Sequence, residues 1–380
     1  MRPQLPLSTS LIRAHEAKLN PLYERFQREK ALHPTLLITG LEGIGKKEIA
    51  LHFIHYLFCD RSIFAGEGGQ AEETASLFGD LAPSEPAPAV TSSGTSPAEG
   101  FVPCGECKSC KRAQQNQWLD LYWLEPESGD NDARLGTHKI DAFRELKSKL
   151  GMGPMEEPYR VVVITDADRM TLQAANSILK TLEEPPKNWV FILTAADSSR
   201  LLPTILSRCI ELKLNPLTAS QIFDVLKENK GTEFHSQRAQ VASRAAMGSL
   251  NRAQFFLDED AWKIRDSLLG FLTNPAQEWM KLIELLSQSQ RDMILGLDLI
   301  ESLYSDLLKS KVEKDHAWIH EDQRQFLLQW MESKHMTEAR LIHVLSEVAE
   351  KRRLATLTLN AKLLAQEILI PLLEVMTYTD

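Results

Sequence analysis

The sequence predicts an α/β domain with a parallel sheet, followed by helical domains. Three observations carry that expectation. Several short segments are apolar throughout, as strands covered on both faces must be. Helical patterns separate them, which is the alternation of a parallel sheet. A glycine-rich loop joins the first strand to the helix after it.

The elements follow in order. TLLIT (Thr35–Thr39) is the first strand, and GLEGIGKKEIA (Gly40–Ala50) is the glycine loop. The helix behind it gathers Ile49, Ala50, Phe53, Ile54 and Leu57 on one face. LDLYWLE (Leu119–Glu125) is the next strand candidate, and THKIDAFRELKSKL is an amphipathic helix. RVVVIT (Arg160–Thr165) is a continuous apolar strand. A helix through AANSILKTLEE stops at Pro185–Pro186, since proline cannot continue it. WVFILTA is a further buried strand, and after Pro216 the pattern is helical. No internal repeat stands out.

At 380 residues the chain is long for one core, so two or three domains are expected. A hydrophobic fraction of 43% is enough to pack them. No apolar window reaches membrane-spanning length and the first twenty residues lack the apolar run of a signal peptide, so a cytoplasmic protein is expected. The net charge of −9 is uneven: Asp60–Gly100 holds seven acidic residues against one basic. The charge therefore neither supports nor excludes nucleic acid as a partner. Residues Ala65–Gly100 are rich in Ala, Gly, Ser, Thr, Pro and Glu, a composition that buries too little apolar area to order itself, and a disordered loop is expected there.

Cys104, Cys107 and Cys110 form C-x₂-C-x₂-C, and Cys59 ends the helix behind the glycine loop. Four thiolates suit a closed tetrahedral zinc site, structural because no coordination position stays open for water. An iron–sulfur cluster accepts the same four ligands. Disulfides compete, but nothing in the sequence points to an oxidising compartment.

The loop is a phosphate-binding loop with one residue out of place. Gly40, Gly43 and Gly45 let the backbone approach a phosphate, and Lys46 is placed for its charge. The next position needs a Ser or Thr hydroxyl for Mg²⁺, and here it is Lys47. Asp166, after the RVVVIT strand, takes the metal-side position, but the following residue, which should orient the attacking water, is Ala167. Ala195 and Ala196 stand where a polar γ-phosphate sensor belongs. Phosphoryl transfer rests on positioning and charge stabilisation, so losing these together should remove hydrolysis. The glycines and Lys46 leave nucleotide binding possible but doubtful.

NSILKTLEEPP, then LLPTILSRC, with the cysteine cluster ahead of LDLYWLEPE, resembles the clamp-loader subunits of bacterial DNA polymerase III. The resemblance covers roughly residues 30–215. It implies an AAA+ domain (residues 1–215) carrying the cysteine module (about 59–112), a small helical lid (216–258) and an all-α collar (259–380). Within that family the degraded nucleotide site points to the delta-prime type rather than to the hydrolysing gamma/tau type. The resemblance makes Arg208, in Ser207-Arg208-Cys209, an arginine finger supplied in trans to a gamma/tau neighbour. It also implies delta, a sliding clamp and primer–template DNA as partners through the assembly. Hydrolysing members carry an arginine directly after GSL. Here Asn251 takes that place and Arg252 follows, a turn of about 100° on a helix. Two other readings remain: an active gamma/tau-like ATPase with Lys47 compensated, and a zinc-dependent nucleic-acid-binding module on a vestigial scaffold.

Overall fold

A computed structural model describes residues 7–29, 32–62, 101–127, 136–230, 236–313, 316–355 and 360–377. The disordered loop expected over Ala65–Gly100 lies outside the described residues. The chain divides into two compact units. Of the described residues, those within 7–40, 45–127 and 136–215 form one unit, and those within 41–44 and 216–377 the other.

The first unit runs α1 (Thr9–Glu29), β1 (Thr35–Thr39), α2 (Lys46–Leu57), α3 (Lys108–Gln114), β2 (Leu121–Leu124), α4 (Ile140–Lys149), β3 (Arg160–Ile164), α5 (Leu172–Glu183), β4 (Trp189–Ala195), α6 (Pro203–Leu206) and β5 (Ile210–Lys213). Its five strands form one parallel sheet in the order β2-β3-β4-β1-β5. The three central strands, β3, β4 and β1, are buried at every position. Their uniform apolarity therefore reflects cover on both faces. The edge strands β2 and β5 are only partly buried. Phe143 and Leu146 of α4 and Ala174, Ile178 and Leu182 of α5 close on Val162, Ile164, Phe191 and Leu193. The register places Thr39 opposite Ala195 and Ile164 opposite Leu193, so the carboxyl ends of β1, β3 and β4 share one rim. Ligands of open parallel sheets bind at such rims.

β2 begins at Leu121, two residues later than the pattern suggested, and the Asp120 side chain just ahead of it is engaged with the segment that leads into β3. Its carboxylate, fully buried, accepts hydrogen bonds from the amides of Met155, Glu156 and Glu157 and from Arg160 Nε at 3.1 Å. Arg160 is 1% exposed and also donates to the Tyr122 hydroxyl. A buried charge is tolerated only when paired and hydrogen-bonded in this way. The network fixes the approach to β3.

Four elements of this unit were absent from the pattern reading. α3 and α6 are seven and four residues long, too short to show a helical period. β5 is four residues long with one buried side chain, so it carries little periodic signal. α1 contains Pro21, a helix-breaking residue, yet buries Leu11, His15, Leu19, Leu22, Tyr23 and Phe26. Phe101 sits against Tyr23, Phe53 and Tyr56 at ring-centroid distances of 5.0–5.3 Å. These edge-on contacts tie α1 and α2 to the segment that enters the cysteine cluster.

The second unit is helical: α7 (Ala219–Lys230), α8 (Ser236–Ala245), α9 (Leu250–Leu257), α10 (Glu259–Thr273), α11 (Pro275–Leu286), α12 (Gln290–Val312), α13 (Arg324–Ser333), α14 (Glu338–Ala355) and α15 (Ala361–Thr377). Leu268, Phe271, Leu282, Leu297, Leu303, Leu341 and Leu369 belong to one core. Among the described residues no helix is long and apolar enough to cross a membrane.

Candidate functional site

The loop after β1 has the backbone its glycines foretold. Gly43 and Gly45 sit at φ +79° and +93°, a region that L side chains seldom adopt. At Gly45 space forbids a side chain as well, because a Cβ there would lie 2.9 Å from Leu11 Cδ2. Gly45 then caps the start of α2 in the left-handed conformation. Lys46 is 6% exposed, and its ammonium donates to the Gly40 carbonyl at 2.8 Å.

Lys47 points to the sheet rim. Its ammonium lies 3.4 Å from Asp166 Oδ2 and 3.5 Å from Glu125 Oε1. A protein cation thus stands between the two carboxylates at the ends of β2 and β3. A divalent ion brought to Asp166 meets this positive charge within a few ångströms. Asp166 adopts φ +49°, and its amide donates to Thr194 Oγ1 at 3.0 Å. Thr194, fully buried on β4, therefore fixes the carboxylate's backbone. Ala167 is buried and carries no acid. Ala195 is buried and Ala196 exposed, and neither offers a polar side chain: the Ala195 carbonyl accepts from Gly40 N–H at 3.3 Å and the Ala196 amide donates to Asp168 Oδ1 at 3.4 Å. Glu125 and Thr194 were missed by sequence reasoning. Glu125 ends the strand candidate beside the one leading to Asp166, and pairing those strands in parallel would have exposed it.

The second unit contains the loop tip Leu41–Ile44. There Leu250 N–H donates to the Gly43 carbonyl at 2.8 Å. A Cβ at Gly43 would come 2.3 Å from Ser249 Oγ and 2.9 Å from Asn251 Cβ. Asn251 thus lies beside the loop tip, whereas Arg252 is turned to Asp298 on α12 at 3.0 Å. Arg352 of α14 reaches the same carboxylate at 2.5 Å.

Arg208 lies on the turn between α6 and β5. It pairs with Glu183 at the end of α5 and donates to the Thr204 carbonyl and to Ser207 Oγ. Cys209 beside it is half-buried, and burial pushes its thiol up to about 12, as an inert packing residue requires.

The four cysteines predicted to act together do converge. The sulfurs of Cys59, Cys104, Cys107 and Cys110 all lie within 4.8 Å of one another, with Cys104 and Cys110 at 3.9 Å. Sulfurs around a tetrahedral ion with bonds of about 2.3 Å stand about 3.8 Å apart, so this group could hold a metal ion. Backbone amides aim at three of the sulfurs: Cys104 N–H at Cys59, Cys107 N–H at Cys104 and Cys110 N–H at Cys107, all within 3.4 Å. Burial alone would raise the Cys104 thiol, but hydrogen bonds from the amides of Glu106 and Cys107 outweigh it and bring the thiol to about 7. Burial raises Cys59 and Cys110.

Comparison with known proteins bears on the family of the chain. Residues 86–218 match a family model described as DNA polymerase III, delta subunit. DNA polymerase III subunit delta' of Escherichia coli K12 is 30% identical over 279 residues, covering 73% of this chain and 70% of that protein. The delta' subunit of Bacillus subtilis 168 is 28% identical over 79% of each chain. The E. coli tau subunit is 28% identical over 60% of this chain but only 29% of its own length. Among solved structures, a DNA polymerase III gamma subunit-related protein of Thermotoga maritima aligns with 91% of this chain at 19% identity and a TM-score of 0.41, a likeness too distant to bear on function. The chain belongs to the family of DNA polymerase III subunit delta'.

Proposed function

We propose that this protein is a non-hydrolysing, delta-prime-like subunit of the replicative clamp loader. In this reading it is an AAA+ subunit that places Arg208 as an arginine finger into the ATP site of a gamma/tau neighbour. Hydrolysis there drives loading of the sliding clamp onto primed DNA. The assembly also contains delta, and residues 216–258 and 259–380 serve as lid and collar. Cys59, Cys104, Cys107 and Cys110 hold a structural zinc ion.

The observation that carries the reading is the ammonium of Lys47 between Glu125 and Asp166. It fills the cation position with a fixed monovalent charge, which cannot bridge phosphate oxygens as a metal does. Ala167 adds the loss of the water-orienting acid. Gly40, Gly43, Gly45 and Lys46 then remain as scaffold, with any nucleotide held weakly and unsplit. Loss of catalysis at home leaves the finger as this subunit's contribution to chemistry. Such fingers are worth about 10³–10⁵ in rate.

The test is phosphate release from ATP by the purified chain with Mg²⁺ and primed DNA. The reading predicts no turnover above background. Turnover abolished by Lys46→Ala would make the chain a motor in its own right and overturn it.

A further inference from the structure

We infer that Glu183 is a positioning residue for Arg208, holding the guanidinium in one orientation for its encounter with a neighbouring subunit. The inference rests on the reading of Arg208 as a finger given above. Both terminal nitrogens of Arg208 are engaged. Nη2 pairs with the Glu183 carboxylate, while Nη1 donates to the Thr204 carbonyl at 2.5 Å and to Ser207 Oγ at 3.1 Å. Acceptors on two separate elements, α5 and α6, therefore fix the plane of the fork.

The elements holding those acceptors are themselves fixed. Glu183 is the last residue of α5, next to the buried Leu182, and after Glu184 the chain is held by Pro185–Pro186. Thr204 lies on α6 beside Ile205, which is completely buried. The carboxylate has no local reason to be there. At the C-terminal turn of a helix a negative charge faces the negative end of the macrodipole and destabilises the helix. Its compensation is Arg208, the cation it touches.

Magnitude decides what the pair is for. The side chains are 28% and 46% exposed, so solvent screens the attraction and its share of fold stability is small. Ordering is another matter. An unrestrained arginine samples many rotamers, and a reaction in trans needs its fork in one place. Immobilising one such side chain in advance corresponds to roughly a three- to tenfold gain in rate. The effect of Glu183 should therefore appear in turnover and not in folding.

The experiment uses the assembled complex of this chain with its hydrolysing neighbours. Glu183→Ala should lower ATP turnover roughly three- to tenfold, with the KM for ATP and the amount of complex unchanged. Glu183→Gln, whose amide oxygen still accepts from Nη2, should retain most of the rate. In an Arg208→Ala background, Glu183→Ala should have no further effect, because there is nothing left to position. A native rate for Glu183→Ala overturns the inference, as does a loss that persists equally without Arg208. If Arg208→Ala alone leaves turnover unchanged, the finger reading itself has failed, and the role of Glu183 falls with it.

Discussion

Replacing Lys47 by Thr restores the residue type that a phosphate-binding loop requires, and it separates two consequences of the present side chain. The ammonium stands 3.4 and 3.5 Å from two carboxylates, and all three side chains are less than about a third exposed. A divalent ion at Asp166 would lie about 4 Å from that ammonium. The repulsion between a double and a single charge at that distance is about 2 kcal/mol in bulk water and about 8 kcal/mol at an effective dielectric of 20. Solvent reaches this half-open rim and screens the charges, so the lower figure applies. It converts to roughly a 30-fold gain in affinity for a divalent ion once Lys47 is gone. Titration with Mn²⁺, followed by the resonance of the free ion, measures this directly. The native chain should bind Mn²⁺ poorly at this rim, and Lys47→Thr should bind it at least about 30-fold more tightly. ATP hydrolysis should nevertheless stay at background in Lys47→Thr, because Ala167 still supplies no acid to orient water. Equal Mn²⁺ affinity in the two proteins would show that the ammonium is not what excludes the metal. Turnover by Lys47→Thr would refute the weight placed on Ala167, Ala195 and Ala196.

Further outcomes follow from other parts of the structure. Asp120→Asn turns an NH₂ donor toward backbone donors and strips the charge partner from buried Arg160, at a cost of about 3–5 kcal/mol. Amide exchange over residues 155–164 should then accelerate by two to three orders of magnitude or more, and unchanged protection would contradict the network's role. Metal analysis of native protein should find one zinc per chain, with Cys107→Ser losing both the metal and stability. Metal-free protein of full stability would end the zinc assignment. In the helical unit, burial pushes His320 down to about 3, with Arg265 adding to the effect. Its neutral ring receives a hydrogen bond from Arg265 Nε at 3.2 Å and is paired with Ser302 Oγ at 2.8 Å. The unfolded chain takes up this proton near pH 6.5 and the folded one does not. Stability is therefore present above pH 6.5 and falls by up to about 1.4 kcal/mol per pH unit as pH drops from there toward 3. His320→Asn should flatten that slope in denaturant titrations at pH 7 and pH 5, and an unaltered slope would exclude His320 as its source.

Much of this was legible in the residues. The central strands announce themselves because burial on both faces demands apolar side chains at every position, and TLLIT and WVFILTA keep the bounds read from the sequence. The cysteine group was legible for a similar reason: C-x₂-C-x₂-C brings three thiols together locally, and Cys59 needed only the end of α2 to join them. What escaped depends on tertiary pairing. Asp120 looks like an ordinary strand residue until three amides 35–37 positions away converge on it. Glu125 acquires meaning only when β2 lies beside β3 and Lys47 reaches both strand ends. Glu183 sits in a recognisable LEEPP run, but nothing local tells that its partner is Arg208, 25 residues on. α1 was hidden by Pro21, although its buried residues recur at helical spacing.

The central claim is that this chain does its chemistry in a neighbour's site through Arg208. The most direct measurement is steady-state ATP hydrolysis by the assembled complex carrying Arg208→Ala, against native complex at equal assembly. The account predicts a large fall in turnover, toward the 10³-fold scale of a lost finger when the completed site dominates the rate, with the complex still intact. Native turnover in the Arg208→Ala complex would contradict it.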